Sequence, residues 1–238
     1  TPLGDDAAGE ALRRVALGGD TADEAVQRHG EGDRMALLML AMRAGGSCVA
    51  LAGTELSYAA TRVVVANCAA CLDWRFGEYY STWLHFAACR GWQATACALM
   101  DSGTETEVFD NNGNTPLWWA VAFNNPAMVR LLLENGADAN ATRYRRAFSP
   151  LCCASQEGHY ECAQWLLRYG ANAEQRDTVR SSALHFAAFG GHVELAQLLI
   201  DAGAELTALD MRGRTPEQVA LARGHDDVAG LLRSSIQD

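Results

Sequence analysis

Thr115-Pro-Leu-Trp-Trp-Ala-Val, set beside Ser149-Pro-Leu-Cys-Cys-Ala-Ser, decides the fold. Two further segments carry the same small-apolar pattern: Thr82-Trp-Leu-His-Phe-Ala-Ala and Ser182-Ala-Leu-His-Phe-Ala-Ala. Thr215-Pro-Glu-Gln-Val-Ala-Leu is a looser fifth. Successive segments begin 33, 34, 33 and 33 residues apart. An independent marker agrees: Gly103, Gly136, Gly170 and Gly203 each close an apolar helical run, at intervals of 33, 34 and 33. Self-similarity at a fixed period of this length marks a stack of supersecondary units.

Each recurring residue has a physical reason. A Thr or Ser before Pro-Leu caps a helix by accepting a hydrogen bond from a free backbone N–H. Pro116, Pro150 and Pro216 fall in the first helical turn, where a missing N–H costs nothing. The Ala pairs let helices approach closely. Glycine after the helical run suits a left-handed cap that other residues resist. No single unit of this size buries its apolar face alone, so the units must stack into a quasi-one-dimensional solenoid.

The pattern resembles the ankyrin repeat. Thr115 to Asn140 shows most of the unit, including Leu131-Leu132-Leu133-Glu134-Asn135-Gly136-Ala137-Asp138, and Gly158-His159 and Gly191-His192 match the opening of its second helix. The resemblance covers about residues 77–238 and implies an all-α ankyrin-repeat solenoid of about five recognisable repeats, with residues 215–238 as a C-terminal cap. Arg233 there takes the place of Leu133, Leu167 and Ile200, a polar residue suited to a solvent-facing end. Residues 1–76 read as one or two degenerate N-terminal helical units. Met35 to Gly45 and Ala50 to Leu72 would supply the two helices of one of them. A separate small helical domain is the alternative.

Composition bounds the function. The chain has 238 residues, 19 basic and 29 acidic side chains, and a formal charge of −10. Every basic residue is Arg; there is no Lys. This rules out Schiff-base chemistry and a Walker-type phosphate loop. Excess negative charge disfavours nucleic acids and acidic membranes as general partners. The eight Cys are Cys48, Cys68, Cys71, Cys89, Cys97, Cys152, Cys153 and Cys162. They read as reduced thiols packed as small apolar groups, which places the protein inside the cell, in the cytoplasm, with a matured organelle protein left open. The chain opens at Thr1 and reads as trimmed or matured. Its apolar runs are interrupted or too short to span a bilayer.

Three constellations invite chemistry. Cys68-Ala-Ala-Cys71 has metal or redox spacing, but no second pair accompanies it, and it reads as two core thiols. Five of six His fall in repeat slots: His85 and His185 after Leu, and His159, His192 and His225 after Gly. The resemblance implies that these imidazoles orient neighbouring turns by hydrogen bonds. Cys152-Cys153 with His159 could form a nucleophile pair, yet Cys152 stands in the His slot and reads as packing. The expectation is therefore no catalytic residues, no metal, no cofactor and no small-molecule substrate.

The resemblance implies binding through loop tips and the groove beside the first helices. The segment Arg143-Tyr144-Arg145-Arg146-Ala147-Phe148 lies in the one unit with an extra residue and loads that tip with Arg and aromatics. Arg176 with Arg180, then Arg212 with Arg214, extend a basic edge that suits a protein partner with an acidic segment. Phe123 and Phe189 end first helices at positions the resemblance turns outward, and suggest a groove for an apolar side chain. Glu78-Tyr79-Tyr80-Ser81 with Trp83 and Trp92 read as packing. The function expected is a non-catalytic protein–protein interaction module, an adaptor or scaffold. A constitutive accessory subunit of a large assembly is one alternative, and an enzyme with an N-terminal catalytic module is another of a different class. The absence of Lys reads as GC-rich coding bias, with avoidance of ubiquitin attachment as the competing account.

Overall fold

The computed structural model describes residues 81–142 and 147–237. The degenerate units expected in 1–76, His29, Cys48, Cys68 and Cys71, and the tip Arg143–Arg146 lie outside the described residues. The chain divides into two units, residues 1–83 with 94–104 and residues 84–93 with 105–238.

Ten helices lie among the described residues, in five consecutive pairs. They are α1 (Trp83–Arg90) and α2 (Gln93–Asp101), α3 (Pro116–Ala122) and α4 (Pro126–Glu134), α5 (Pro150–Glu157) and α6 (Tyr160–Arg168), α7 (Ala183–Gly190) and α8 (Val193–Asp201), and α9 (Pro216–Arg223) and α10 (Asp226–Gln237). This is the all-helical, paired architecture that the resemblance to the ankyrin repeat implies. In the first unit, α2 ends on Gly103 at φ +93°, and the Thr104 N–H returns to the Leu99 carbonyl.

In the second unit the helices form two rows. Helices α3, α5, α7 and α9 pack in sequence, as do α4, α6, α8 and α10, and each pair also packs within itself. Leu117, Leu132, Leu151, Leu166, Leu184, Leu199 and Leu232 are fully buried between them. Each such side chain contributes about 1.5–3 kcal/mol through lost apolar surface. The Ala120, Ala154, Ala187 and Ala188 side chains are equally buried and set the close helix spacing.

The caps form as their residue types require. The Thr115 hydroxyl accepts from the Trp118 N–H, and the Ser149 hydroxyl from the Cys152 N–H. Ser182 and His185 close a reciprocal box, as do Thr215 and Gln218. Asp110, Asp177 and Asp210, each five residues before a cap, organise the loop tips. Asp110 Oδ1 accepts from the Asn112 and Asn114 N–H groups, Asp177 Oδ1 from Val179 and Ser181, and Asp210 Oδ1 from Arg212 and Arg214.

Two families of side-chain bonds join one repeat to the next. In the first, an imidazole on a first helix reaches forward: His85 Nε2 lies 3.1 Å from the Asn114 carbonyl, and His185 Nε2 3.1 Å from the Arg214 carbonyl. In the second, the residue opening a second helix reaches back. His192 Nε2 meets the Gln156 carbonyl, His225 Nε2 the Phe189 carbonyl, and Asn125 Nδ2 the carbonyls of Ala88 and Cys89.

His159 departs from the expectation that all five slot imidazoles behave alike. It makes no such bond among the described residues. The cause lies one repeat earlier. His192 packs over Gly158, where a Cβ would stand 2.6 Å from its ring, and His225 packs over Gly191 in the same way. The residue that should make room for His159 is Asn124, not glycine, at φ +53°. It carries a side chain where the other two positions carry none, and its Oδ1 faces the Cys162 thiol at 3.6 Å. Trp118 and Cys152 stand in the forward-reaching slot without an imidazole. Trp118 Nε1 is buried and finds no acceptor among the described residues.

This geometry separates two glycines with similar backbones. Gly158 and Gly170 have φ of +77° and +84°, but nothing lies within 4 Å of a Cβ built on Gly170. Gly170→Ala should cost only the left-handed backbone penalty of about 1–2 kcal/mol. Gly158→Ala should cost clearly more, because the His192 ring must also move. Urea midpoints of the two variants check this, and equal losses would refute the packing account.

Candidate partner-binding surface

The expected binding residues fall into distinct environments. Phe123 is 58% exposed, and its ring stacks on Trp119 with centroids 5.9 Å apart. Trp119 is itself anchored by its Nε1 donating to Asp110 Oδ2 at 3.0 Å. Phe189 is 43% exposed, with the Arg223 guanidinium 3.9 Å above its ring. The two Phe are one slot apart: Phe123 follows α3 as its C-cap, whereas Phe189 lies inside α7. Phe148 is half-buried and meets Phe186 edge-on at 5.0 Å, so it joins its tip to α7.

The arginines divide likewise. Arg214 donates from Nε and Nη2 to Asp210 Oδ2 at 2.9 and 2.8 Å. Burial alone would raise the Asp210 carboxyl, but hydrogen bonds from the Arg214 main chain and side chain and from the Arg212 N–H hold it below the usual carboxylate range. Arg176 pairs with Glu205 at 2.8 Å. Arg180 and Arg212 are exposed at their tips and form no ion pair among the described residues. Arg180 also has φ +61°, in the slot that Ala147, at φ +48°, and Gly213 fill in the flanking repeats. A left-handed non-glycine residue costs about 1–2 kcal/mol.

Between α7 and α9 the surface opens into a cleft of about 120 Å³. Phe186, Phe189 and Val219 form its apolar wall. Ser181, His185, Asp210, Arg214 and the exposed Gln156 supply its polar lining. The structure thus brings Phe189 and Arg214 together, whereas Phe123 stands apart from this cleft. Sequence reasoning missed the exposed apolar tip residues Val179, Leu209 and Met211. Their signal was the Asp five residues before each cap, which defines a tip whose central residues must face solvent. The Met211 N–H donates to the Val179 carbonyl and ties these two tips together.

The thiols behave as packing groups. Cys152, Cys153 and Cys162 are free and buried. Burial pushes the Cys152 thiol up to about 11, and burial with nearby Glu157 or Glu161 pushes Cys153 and Cys162 up to about 12. A thiol is nucleophilic only as thiolate, so Cys152 and Cys153 are unsuited to attack at neutral pH. The His185 imidazole is held below its ordinary pKa, first by burial, which keeps it a neutral bridge between Ser182 and Arg214. Among the described residues no group of three or more His, Cys, Asp or Glu is placed to hold a metal ion. None of their helices is long and apolar enough to cross a membrane.

Comparison with known proteins agrees with the geometry. The family model described as "Ankyrin repeats (3 copies)" matches residues 38–143 and 151–238. The chain is 42% identical over 76 residues to "Probable E3 ubiquitin-protein ligase XBOS32" of Oryza sativa subsp. japonica, which covers 32% of this chain and 15% of that protein. It is 36% identical over 121 residues to the human "Ankyrin repeat domain-containing protein 63", covering 48% of this chain and 32% of that one. A third similarity, 31% over 154 residues, is to the Caenorhabditis elegans "Transient receptor potential cation channel subfamily A member 1 homolog", covering 64% of this chain and 12% of that one. The chain therefore spans at most about a third of the length of these relatives.

Two measurements test the site. Arg214→Ala should destabilise the protein by about 1–3 kcal/mol, because it leaves the buried Asp210 carboxylate under-bonded. Arg180→Ala and Arg212→Ala should leave the urea midpoint within error or raise it. In native protein at neutral pH, a thiol reagent such as dithionitrobenzoate should leave Cys152, Cys153 and Cys162 unmodified. All three should react in denaturant, and rapid native labelling of any of them would contradict the burial account.

Proposed function

The chain belongs to the ankyrin-repeat family, a family of protein–protein interaction modules, and from that premise we propose that it is a non-catalytic adaptor. It presents a groove of first-helix ends and a row of loop tips to a partner that carries an acidic segment. The observation that carries this reading is the coincidence on one surface of an exposed Phe189, a cleft beside it, and the guanidinium groups of Arg180 and Arg212, unpaired among the described residues. Arg and aromatic side chains are enriched among residues that dominate binding energy. The tips at Asp110, Asp177 and Asp210 are hydrogen-bonded within themselves, so they present a preformed shape and little ordering entropy is lost on association. Arg143, Tyr144, Arg145 and Arg146 extend this basic edge in the same proposal, on the strength of their place in the repeat. The family match from residue 38 supports reading residues 38–76 as repeats.

A second reading, a fixed subunit of a larger assembly, is favoured by apolar groups on the opposite row. Tyr160 and Tyr169 are exposed on α6 and at its end, and Trp165 lies between the guanidinium groups of Arg130 and Arg168, each 5.2 Å from its ring. Obligate interfaces are larger and more apolar than transient ones. Size exclusion separates the two: a soluble monomer indicates the adaptor, and self-association of the isolated chain indicates the subunit.

The adaptor reading predicts partners that depend on the basic edge. Affinity purification with mass spectrometry should compare the natural chain with a variant carrying Arg145→Glu, Arg146→Glu and Phe189→Ala. Partners should be lost or strongly depleted from the variant, at unchanged thermal stability. Full retention of every partner would place binding elsewhere.

A further inference from the structure

The cleft between α7 and α9 is lined by polar groups most of whose atoms are already committed. His185 uses both ring nitrogens, one on Ser182 and one on the Arg214 carbonyl. The Asp210 carboxylate accepts from two backbone N–H groups and twice from the Arg214 guanidinium. The charges of Asp210 and Arg214 offset each other. The largest surface left for an occupant is apolar, that of Phe186, Phe189 and Val219, with the Ser181 hydroxyl beside it. An apolar side chain would leave the His185 nitrogens and the Asp210 carboxylate with all their present partners. The volume of about 120 Å³ is in the range of one aromatic or branched aliphatic side chain, since apolar cavities of roughly 150 Å³ take a benzene.

The charge lies just outside. Arg180 immediately precedes Ser181, and Arg212 stands two residues before Arg214, so both flank residues of the cleft wall. Neither has a carboxylate partner among the described residues, while the neighbouring acids are engaged: Asp177 and Asp210 cap their own tips, and Glu205 holds Arg176. Arg180 takes its place beside Ser181 in a left-handed backbone conformation.

We propose that this cleft receives one large apolar side chain, of phenylalanine or leucine size, from an extended partner segment whose adjacent residues carry carboxylates that meet Arg180 and Arg212. The inference rests on the adaptor reading and adds the composition of the segment recognised. Phe189 supplies apolar lining, steadied by Arg223, and the Asp210–Arg214 pair supplies polar lining. Arg180 and Arg212 select for acidic neighbours by charge and reject basic ones.

The test uses the full chain, labelled with nitrogen-15, and blocked pentapeptides. The probe is acetyl-Asp-Gly-Phe-Gly-Asp-amide; its controls carry Lys for both Asp, or Ala for Phe, and a fourth ligand is acetyl-phenylalanine amide alone. The acidic Phe peptide should shift the amide signals of His185, Phe186, Phe189 and Val219. Each control should bind at least about ten-fold more weakly, a 1.4 kcal/mol difference. Phe189→Ala, which removes a wall, and Gln156→Trp, which fills the cleft from an exposed lining position, should each abolish the shifts at unchanged thermal stability. The double change Arg180→Ala with Arg212→Ala should equalise the Asp and Lys peptides. No shift at millimolar peptide, equal binding of the Lys peptide to the natural chain, or equal binding of acetyl-phenylalanine amide would overturn the proposal. Partner capture without peptide binding would remove the cleft and keep the adaptor. Peptide binding by a chain that captures no protein would keep the cleft and remove the adaptor.

Discussion

An imidazole reaches back to the carbonyl of the preceding repeat only where that repeat ends its first helix on a residue without a side chain. This constraint links backbone, sequence and assembly. Gly158 and Gly191 adopt left-handed conformations that end α5 and α7, and the same absence of Cβ admits the rings of His192 and His225. One residue type therefore serves two needs, a turn and a socket. The resulting bonds to Gln156 and Phe189 fix the spacing between neighbouring first helices. That spacing opens the cleft beside Phe189. The candidate binding surface is thus a by-product of how the repeats are joined, and its precision derives from the joints.

The apolar face of each repeat imposes a further requirement. Helices of seven to nine residues are too short to persist alone in water. The pairs exist because α3, α5, α7 and α9 bury leucines and alanines against one another in a continuous row. Function follows from the remaining surface. Helix ends and loop tips must stay outside the row, and their polar backbone groups are met by Asp110, Asp177 and Asp210 within each tip. Side chains carried on such tips are held without needing to pack, which frees Arg180, Arg212, Val179 and Met211 to face solvent.

Much of this was legible in the order of residues. The period, the caps at Thr115, Ser149 and Thr215, the proline starts and the glycine ends all act locally, over three to five residues, and a linear pattern records them fully. Roles set by a neighbour thirty residues away were not legible. Arg212 and Arg214 are the same residue two positions apart; only the fold shows that one guanidinium is spent on Asp210 and the other on nothing among the described residues. Phe148 and Phe189 both read as exposed anchors, yet Phe148 packs edge-on against Phe186. His159 carried the expected signature but depends on position 124, in another repeat, for the space that its bond requires.

Asn124 and Trp118 together give the stack a direction of yielding. Among the described residues, the joint between the repeats beginning at Thr115 and Ser149 lacks the forward bond, because Trp118 Nε1 finds no acceptor there. It also lacks the backward bond, because Asn124 brings a side chain to the socket of His159. Among the described residues its polar ties include the long contact of the Cys162 thiol with Asn124 Oδ1 and, on the opposite edge, Asn140 with the Asn172 N–H and the Gly170 carbonyl. A fastening along one edge without these two bonds along the other is the anatomy of a hinge. On the first-helix side of this joint the described tie is the Cys162 thiol, a weak donor, to Asn124, where the other joints use an imidazole or a carboxamide. An occupant that touched both Phe123 and Phe189 would bridge that joint and add to its fastening.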